Sequence, residues 1–110
     1  MNAFDILGDP VRRRIVELLS ESDRTAGDIT RIVRDEFGIS QPAVSNQLRV
    51  LRESGFALDE RRASTRLYAL RPGALDEVTE WIDRYRTFWS QHLDALDTEI
   101  ARGARNGITS

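Results

Sequence analysis

Three residues, Gly38-Ile39-Ser40, separate two stretches that each carry apolar side chains at helical spacing, and this short corner restricts the fold of the 110-residue chain more than any other feature. Upstream, Thr25 has the character of a helix cap, with Asp28 completing a weak form of the capping box. Ile29, Ile32, Val33 and Phe37 then supply an apolar face until Gly38 stops the helix. Downstream, Ser40 caps again, Pro42 sits within the first turn, and Val44, Leu48 and Leu51 recur at i, i+4 and i+7. Gly55 ends this second helix at about Ser54. Two amphipathic helices joined by so short a connection form a helix-turn-helix corner.

The flanking residues fill out a domain. Asp9-Pro10 reads as a cap followed by proline at the first helical position, and Val11, Ile15, Leu18 and Leu19 carry that helix to about Ser20. Before it, Ala3, Phe4, Ile6 and Leu7 form a short apolar turn or helix ending at Gly8. Phe56–Asp59 and Thr65–Leu70 read as two strands joined by an arginine-rich turn, a β-hairpin. Pro72-Gly73 punctuates the chain and introduces one long helix, from about Ala74 to Ala101. The expected fold is mainly α with a small β-hairpin: a winged helix-turn-helix over residues 1–102, including the helix at about 74–101, followed by a flexible tail over 103–110.

Composition excludes several classes of function. There is no cysteine, which removes disulfides, thiolate metal sites and cysteine nucleophiles together. A single histidine, His92, leaves little for a metal cluster or a histidine-based triad. With no Gly-rich phosphate loop, nucleophile motif or ligand set, the residues offer no catalytic site, no metal and no cofactor, so an enzyme is not expected. No apolar run approaches the roughly 20 residues a bilayer span needs, and the first residues lack a charged-then-apolar leader, so the chain is expected in the cytoplasm with no membrane contact. The net charge of −2 argues mildly against a nucleic-acid partner, but the charges are sorted along the chain. Between Gly38 and Arg71 six arginines face three acids, whereas from Pro72 onward four arginines face seven.

That sorting coincides with groove-reading chemistry. In a helix-turn-helix the second helix enters the major groove with its N-terminal side chains against base edges. With Val44, Leu48 and Leu51 turned to the core, Gln41, Ser45, Asn46 and Arg49 lie on the other side. Gln and Asn pair bidentately with adenine and Arg with guanine. Ser40, Pro42 and Ala43 stand at the helix start, where free N–H groups suit a phosphate, and Ala43 also suits a thymine methyl. Gln47 and Arg52 lie towards the flanks, where backbone contacts are expected. In the hairpin turn, Arg61, Arg62, Thr65 and Arg66 are placed for phosphates or the adjacent minor groove. The expected partner is double-stranded DNA; Asp59 and Glu60 beside the turn offset part of its charge.

Along the last helix Leu75, Val78, Ile82, Tyr85, Trp89, His92, Leu96 and Ile100 step by three or four, a heptad-like seam with one polar interruption. A helix of that span is about 42 Å long at 1.5 Å per residue, longer than a domain of this size can cover. Trp81, Phe88 and Leu93 form a second apolar edge, and a helix with two such edges points to a subunit interface, in which Phe4 of the first segment also takes part. Two copies would place two reading helices on successive major grooves of a palindrome. Packing of this helix on its own domain alone, and an aromatic ligand pocket lined by Trp81, Tyr85, Phe88 and Trp89, are the alternatives.

Over about residues 3–101 the chain resembles the ArsR/SmtB family of bacterial winged-helix repressors. The resemblance is carried by Phe4 through Ile15, by Gly38-Ile39-Ser40-Gln41-Pro42-Ala43-Val44-Ser45, and by Leu48-Arg49-Val50-Leu51-Arg52 with Gly55. The ending Tyr85-Arg86-Thr87-Phe88-Trp89 through Leu93-Asp94-Ala95-Leu96 resembles a cysteine-free branch without an assigned metal. The resemblance implies a homodimer joined by its N- and C-terminal helices that binds an operator and represses, often at its own promoter. Three departures stand out. Thr25-Ala26-Gly27-Asp28 offers none of the cysteines of metal-sensing members, and only His92 stands among acids such as Asp83, Asp94 and Asp97. Gly27 to Gly38 is about one helical turn longer than the usual spacing, which rotates the docking face by roughly 40°. Asn46-Gln47 stands where a basic residue and a histidine are common, and Ala63-Ser64 replaces a common wing-tip glycine. The sequence singles out no small-molecule effector; a winged-helix module for protein contacts, or a metal- or ligand-responsive regulator using the last helix, are the other readings.

Overall fold

Each helix of the N-terminal half begins where a short polar side chain turns back on the backbone. In the computed structural model, which describes the backbone of residues 1–107 and the side chains of residues 1–103, Asn2 and Asp5 form a reciprocal capping box at the start of α1 (Ala3–Gly8). Asp9 Oδ2 accepts from the Arg12 N–H at 3.2 Å and opens α2 (Pro10–Glu21). Thr25 Oγ1 accepts from the Asp28 N–H at 3.1 Å and opens α3 (Ala26–Phe37). Ser40 Oγ accepts from the Ala43 N–H at 3.3 Å and opens α4 (Gln41–Glu53). Between α3 and α4, Gly38 adopts φ 65°, and its N–H donates to the Arg34 carbonyl at 2.9 Å. A side chain is strained in that left-handed conformation, so glycine is what lets α3 stop and α4 start three residues later.

The structure adds a strand that the hairpin expectation lacked. Arg24–Thr25 (β1) pairs antiparallel with Thr65–Leu70 (β3), which pairs on its other side with Ala57–Arg62 (β2), giving the order β1-β3-β2. Two residues are too few to show a period of two, and β1 exists only because β3 lends it hydrogen-bond partners at Tyr68 and Leu67. In the hairpin Ala57 faces Leu70 and Arg62 faces Thr65, so Ala63 and Ser64 form the turn. Strand β2 is therefore longer than the expected Phe56–Asp59 and reaches the turn itself. At its root, the Phe56 carbonyl accepts from the Arg71 N–H at 2.9 Å.

Residues Met1–Leu75 form one compact unit. Helices α2, α3 and α4 pack on one another, α2 and α3 lie against β3, and α4 lies against β2. Ile6, Ile15, Ile29, Val33, Val44 and Leu51 are fully buried between them, joined by Leu18, Leu19, Leu48, Phe56 and Tyr68. At about 1.5–3 kcal/mol for each large apolar side chain removed from water, this cluster is the main source of the unit's stability. Phe37 departs from expectation: it is 37% exposed. Eight residues on from Ile29 it stands roughly 80° around the helix, at the margin of the buried face. A half-buried link also joins α1, α2 and α4. The Arg12 guanidinium donates to the Asp5 carbonyl at 3.0 Å, the Ile6 carbonyl at 3.2 Å and Gln47 Oε1 at 3.1 Å.

The second unit is α5 (Asp76–Gly107), a helix of 32 residues. It starts two residues later than expected and runs six further. Ala101, Arg102, Ala104 and Arg105 are strong helix formers and carry it past Gly103, so residues 103–107 are helical rather than tail; residues 108–110 lie outside the described residues. From Trp81 to Ile100 its large apolar side chains are exposed, from 39% at Leu96 to 66% at Ile100. Rings pair along it: Trp81 with Tyr85 at 4.6 Å and Phe88 with Trp89 at 5.7 Å, centroid to centroid. Among the described residues no helix is long and apolar enough to cross a membrane.

Candidate nucleic-acid interface

Burial of Val44, Leu48 and Leu51 fixes the rotation of α4 and so decides which of its side chains meet solvent. Gln41, Ser45, Asn46 and Arg49 are all exposed on the opposite side, with Pro42 beside them and Ala43 half-buried. Asn46 Oδ1 accepts from Arg49 Nη2, so two of the four expected base readers already share a hydrogen bond. The other two continue into a groove of about 1150 Å³, whose walls come from α3, α4 and β3 and include Gln41, Ser45, Arg49, Arg52 and Arg66.

Gln47 stands apart from this face. It is half-buried, and its amide oxygen is taken by Arg12, which makes it an anchor between α2 and α4. Nothing in the local sequence marks this contact, because its partners lie 35 residues apart.

One carboxylate stands between the hairpin and the end of α4. Asp59, whose side chain is only 13% exposed, accepts from Arg66 and lies 3.9 Å from Arg52 Nη1. Glu60 pairs with Arg62 at 3.4 Å, and Thr65 Oγ1 donates to the Arg62 carbonyl at 2.9 Å. Arg61 has no ion pair among the described residues and stands directly opposite Arg66 across the ladder. Like charges facing one another across a strand pair are destabilising, so the hairpin concentrates positive charge against its own stability. At the turn, Ala63 adopts φ 54°. A side chain is strained in that conformation, which agrees with the frequent choice of glycine at such turns.

Two further arginines, Arg31 and Arg34 of α3, line the groove and were not singled out from the sequence. Their spacing of three residues was the available signal. Elsewhere on α3 the charges serve packing. Glu36 accepts from Arg14 Nε at 2.8 Å and Nη2 at 3.0 Å, which holds its carboxyl below the usual range and raises the Arg14 guanidinium. The Asp28 carboxyl is likewise lowered, first by Arg31 and then by Arg24.

The expected interface residues of the C-terminal region differ in exposure. Leu75 and Val78 are half-buried, while Ile82, Tyr85, Trp89, Leu96 and Ile100 are exposed on α5. Phe4 on α1 is 41% exposed. His92 lies within ring contact of Phe88 and Trp89, at 6.2 and 5.8 Å. Among the described residues no three histidine, cysteine or acidic side chains group together as metal ligands do.

A capped second helix with a polar outer face, a three-residue corner before it and a basic hairpin after it define a winged helix-turn-helix DNA-binding protein. The model of the bacterial regulatory protein arsR family matches residues 9–57, which span the corner, α4 and the first residue of β2. The chain is 35% identical over 81 residues to the transcriptional repressor SdpR of Bacillus subtilis, covering 74% of this chain and 86% of that protein. It is 36% identical over 94 residues to the biofilm growth-associated repressor of Xylella fastidiosa, covering 86% and 77%. Among solved structures, a possible transcriptional regulator for arsenical resistance superposes with a TM-score of 0.65 at 29% identity, covering 90% of this chain and 96% of that one. The chain belongs to the arsR family of transcriptional regulators.

Proposed function

We propose that the protein is a homodimeric repressor that occupies a palindromic operator through α4 and the hairpin. Gln41, Ser45, Asn46 and Arg49 read base edges. Ser40, Pro42 and Ala43 meet the backbone at the start of α4, and Gln47, Arg52, Arg61, Arg62, Thr65 and Arg66 meet it along the flank and wing. The observation that carries this reading is the exposed polar face of α4, continuous with a groove walled by arginines. Repression is supported by the two relatives named above, both of which are repressors. Dimerisation is supported by the exposed apolar side chains of α5, Ile82, Tyr85, Trp89, Leu96 and Ile100, which a second copy would cover; half-buried Leu75 and Val78 and the 41% exposed Phe4 are assigned to the same interface. The mechanism is steric, with the dimer lying on a promoter that polymerase needs. The protein acts in the cytoplasm, by binding rather than by turnover.

Fluorescence anisotropy on a duplex selected by the protein from a random pool, against a scrambled duplex, tests the reading. A preference of about 10³-fold or more is expected. Replacing Ser45 and Asn46 by alanine should remove most of it while leaving weak binding to both duplexes. An unchanged preference in that variant would overturn the roles given to α4. Equal affinity of the wild type for both duplexes would favour a protein-binding role for the fold.

A further inference from the structure

The positive charge beside the reading face does not end on α4 and the hairpin. Five arginines line the groove, Arg31 and Arg34 from α3, Arg49 and Arg52 from α4 and Arg66 from β3, with Asp35 the one carboxylate in its lining. A cleft lined so heavily by one sign of charge focuses its field and attracts anions.

Neither α3 arginine is used up by the fold. Arg34 has no ion pair among the described residues, and its backbone carbonyl alone serves the helix end by accepting from Gly38. Arg31 pairs with Asp28, but its side chain is 66% exposed, and Asp28 is also held by Arg24 at 3.2 Å. Exposed pairs of this kind contribute little to stability. Asp28 would keep a cation if Arg31 turned away.

Gln41, Ser45 and Arg49 line this same groove. A duplex whose base edges meet those side chains therefore has its flanking phosphates beside α3. The general geometry agrees, since the first helix of a helix-turn-helix crosses the sugar–phosphate backbone while the second enters the major groove.

We propose that Arg31 and Arg34 hold phosphates of the duplex backbone, so that the DNA contact surface has three parts: α4 on the bases, the hairpin on one stretch of backbone, and α3 on another. This rests on the reading of α4 as the DNA-facing helix. It differs from that reading in assigning α3 a share of the affinity and none of the sequence preference.

The test is the salt dependence of binding, because each phosphate neutralised contributes about 0.9 to the slope of log affinity against log salt. Arg31→Ala, Arg34→Ala and the double variant are titrated on the selected and the scrambled duplex, with Arg84→Ala on α5 as control. Circular dichroism checks that each variant is folded. The expected result is a slope lower by about 0.9 for each arginine removed on both duplexes, with the ratio between duplexes unchanged. Slopes equal to the wild type would overturn the proposal, as would a loss of preference without a change of slope. Inorganic pyrophosphate is added in a separate arm at constant ionic strength: displacement of DNA from the wild type but not from the double variant is expected, whereas pyrophosphate binding that depends on both arginines while leaving DNA bound would assign the groove to a free phosphate ligand instead. Failure of the wild type to bind any duplex would overturn the DNA reading itself, a result distinct from wild-type binding with unaltered slopes in the variants.

Discussion

The N-terminal unit and α5 are written in the same sequence idiom, apolar residues every three or four positions, yet they end in opposite states. In Met1–Leu75 the periodic residues Ile15, Ile29, Val33, Val44 and Leu51 are fully buried. On α5 the periodic residues Ile82, Tyr85, Trp89, Leu96 and Ile100 are 39–66% exposed. Periodicity specifies a helix and its face; burial also requires something for that face to meet. Inside the N-terminal unit, neighbouring helices and the sheet supply it. For α5, the proposed second copy supplies it. On the proposed reading the two regions divide the work: one holds α4 rigid, and the other joins two copies.

The largest break in this comparison comes from the core. Leu51→Ala removes a fully buried side chain from the seam that orients α4, and should lower unfolding stability by about 2–5 kcal/mol in urea denaturation. A change within about 0.5 kcal/mol would mean that the core does not fix α4. Truncation on α5 should act elsewhere. Trp89→Ala removes a large aromatic from the proposed interface, where such anchors contribute about 2 kcal/mol or more. Sedimentation should show self-association weakened about 30-fold or more, while the helical content of the chain persists. Association equal to the wild type would show that this stripe is not the interface.

The smallest effect sharpens the account of the N-terminal unit. Arg14 holds the Glu36 carboxyl below its ordinary value of 4.5, so this pair stabilises the fold fully above that pH. The contribution is lost as the pH falls through the lowered value. Glu36→Gln should lie modestly below the wild type near neutral pH, with the two stabilities converging in acid. Parallel curves down to the acid limit would show that the α2–α3 pair has no part in acid stability.

Much of the fold is legible in the sequence because its signals are local. Asp9, Thr25 and Ser40 mark helix starts by cap chemistry, Gly38 marks a stop by its backbone freedom, and the seam of α4 follows from the spacing of three residues. What was not legible depends on distant partners. Strand β1 is two residues long and is defined by β3, more than 40 positions downstream. Leu67, Ala69 and Leu70 beside Tyr68 are all apolar and show no alternation that would single out Tyr68 as the buried one, and Phe37 is exposed although its helix is amphipathic. The exposed polar face of α4 could be placed by angle alone. The tie from Arg12 to Gln47, and the meeting of Arg31 and Arg34 with Arg66 in one groove, required the tertiary structure.

The central claim is that α4 and the hairpin, not α5, meet the bases and backbone of DNA. Amide chemical shifts of the full chain, recorded before and after adding the selected duplex, test it most directly. The account predicts the largest changes at Gln41, Ser45, Asn46 and Arg49, and at Arg61 through Arg66, with the α5 amides from Trp89 onward nearly still. Shifts concentrated on α5, with those of α4 unchanged, would contradict it.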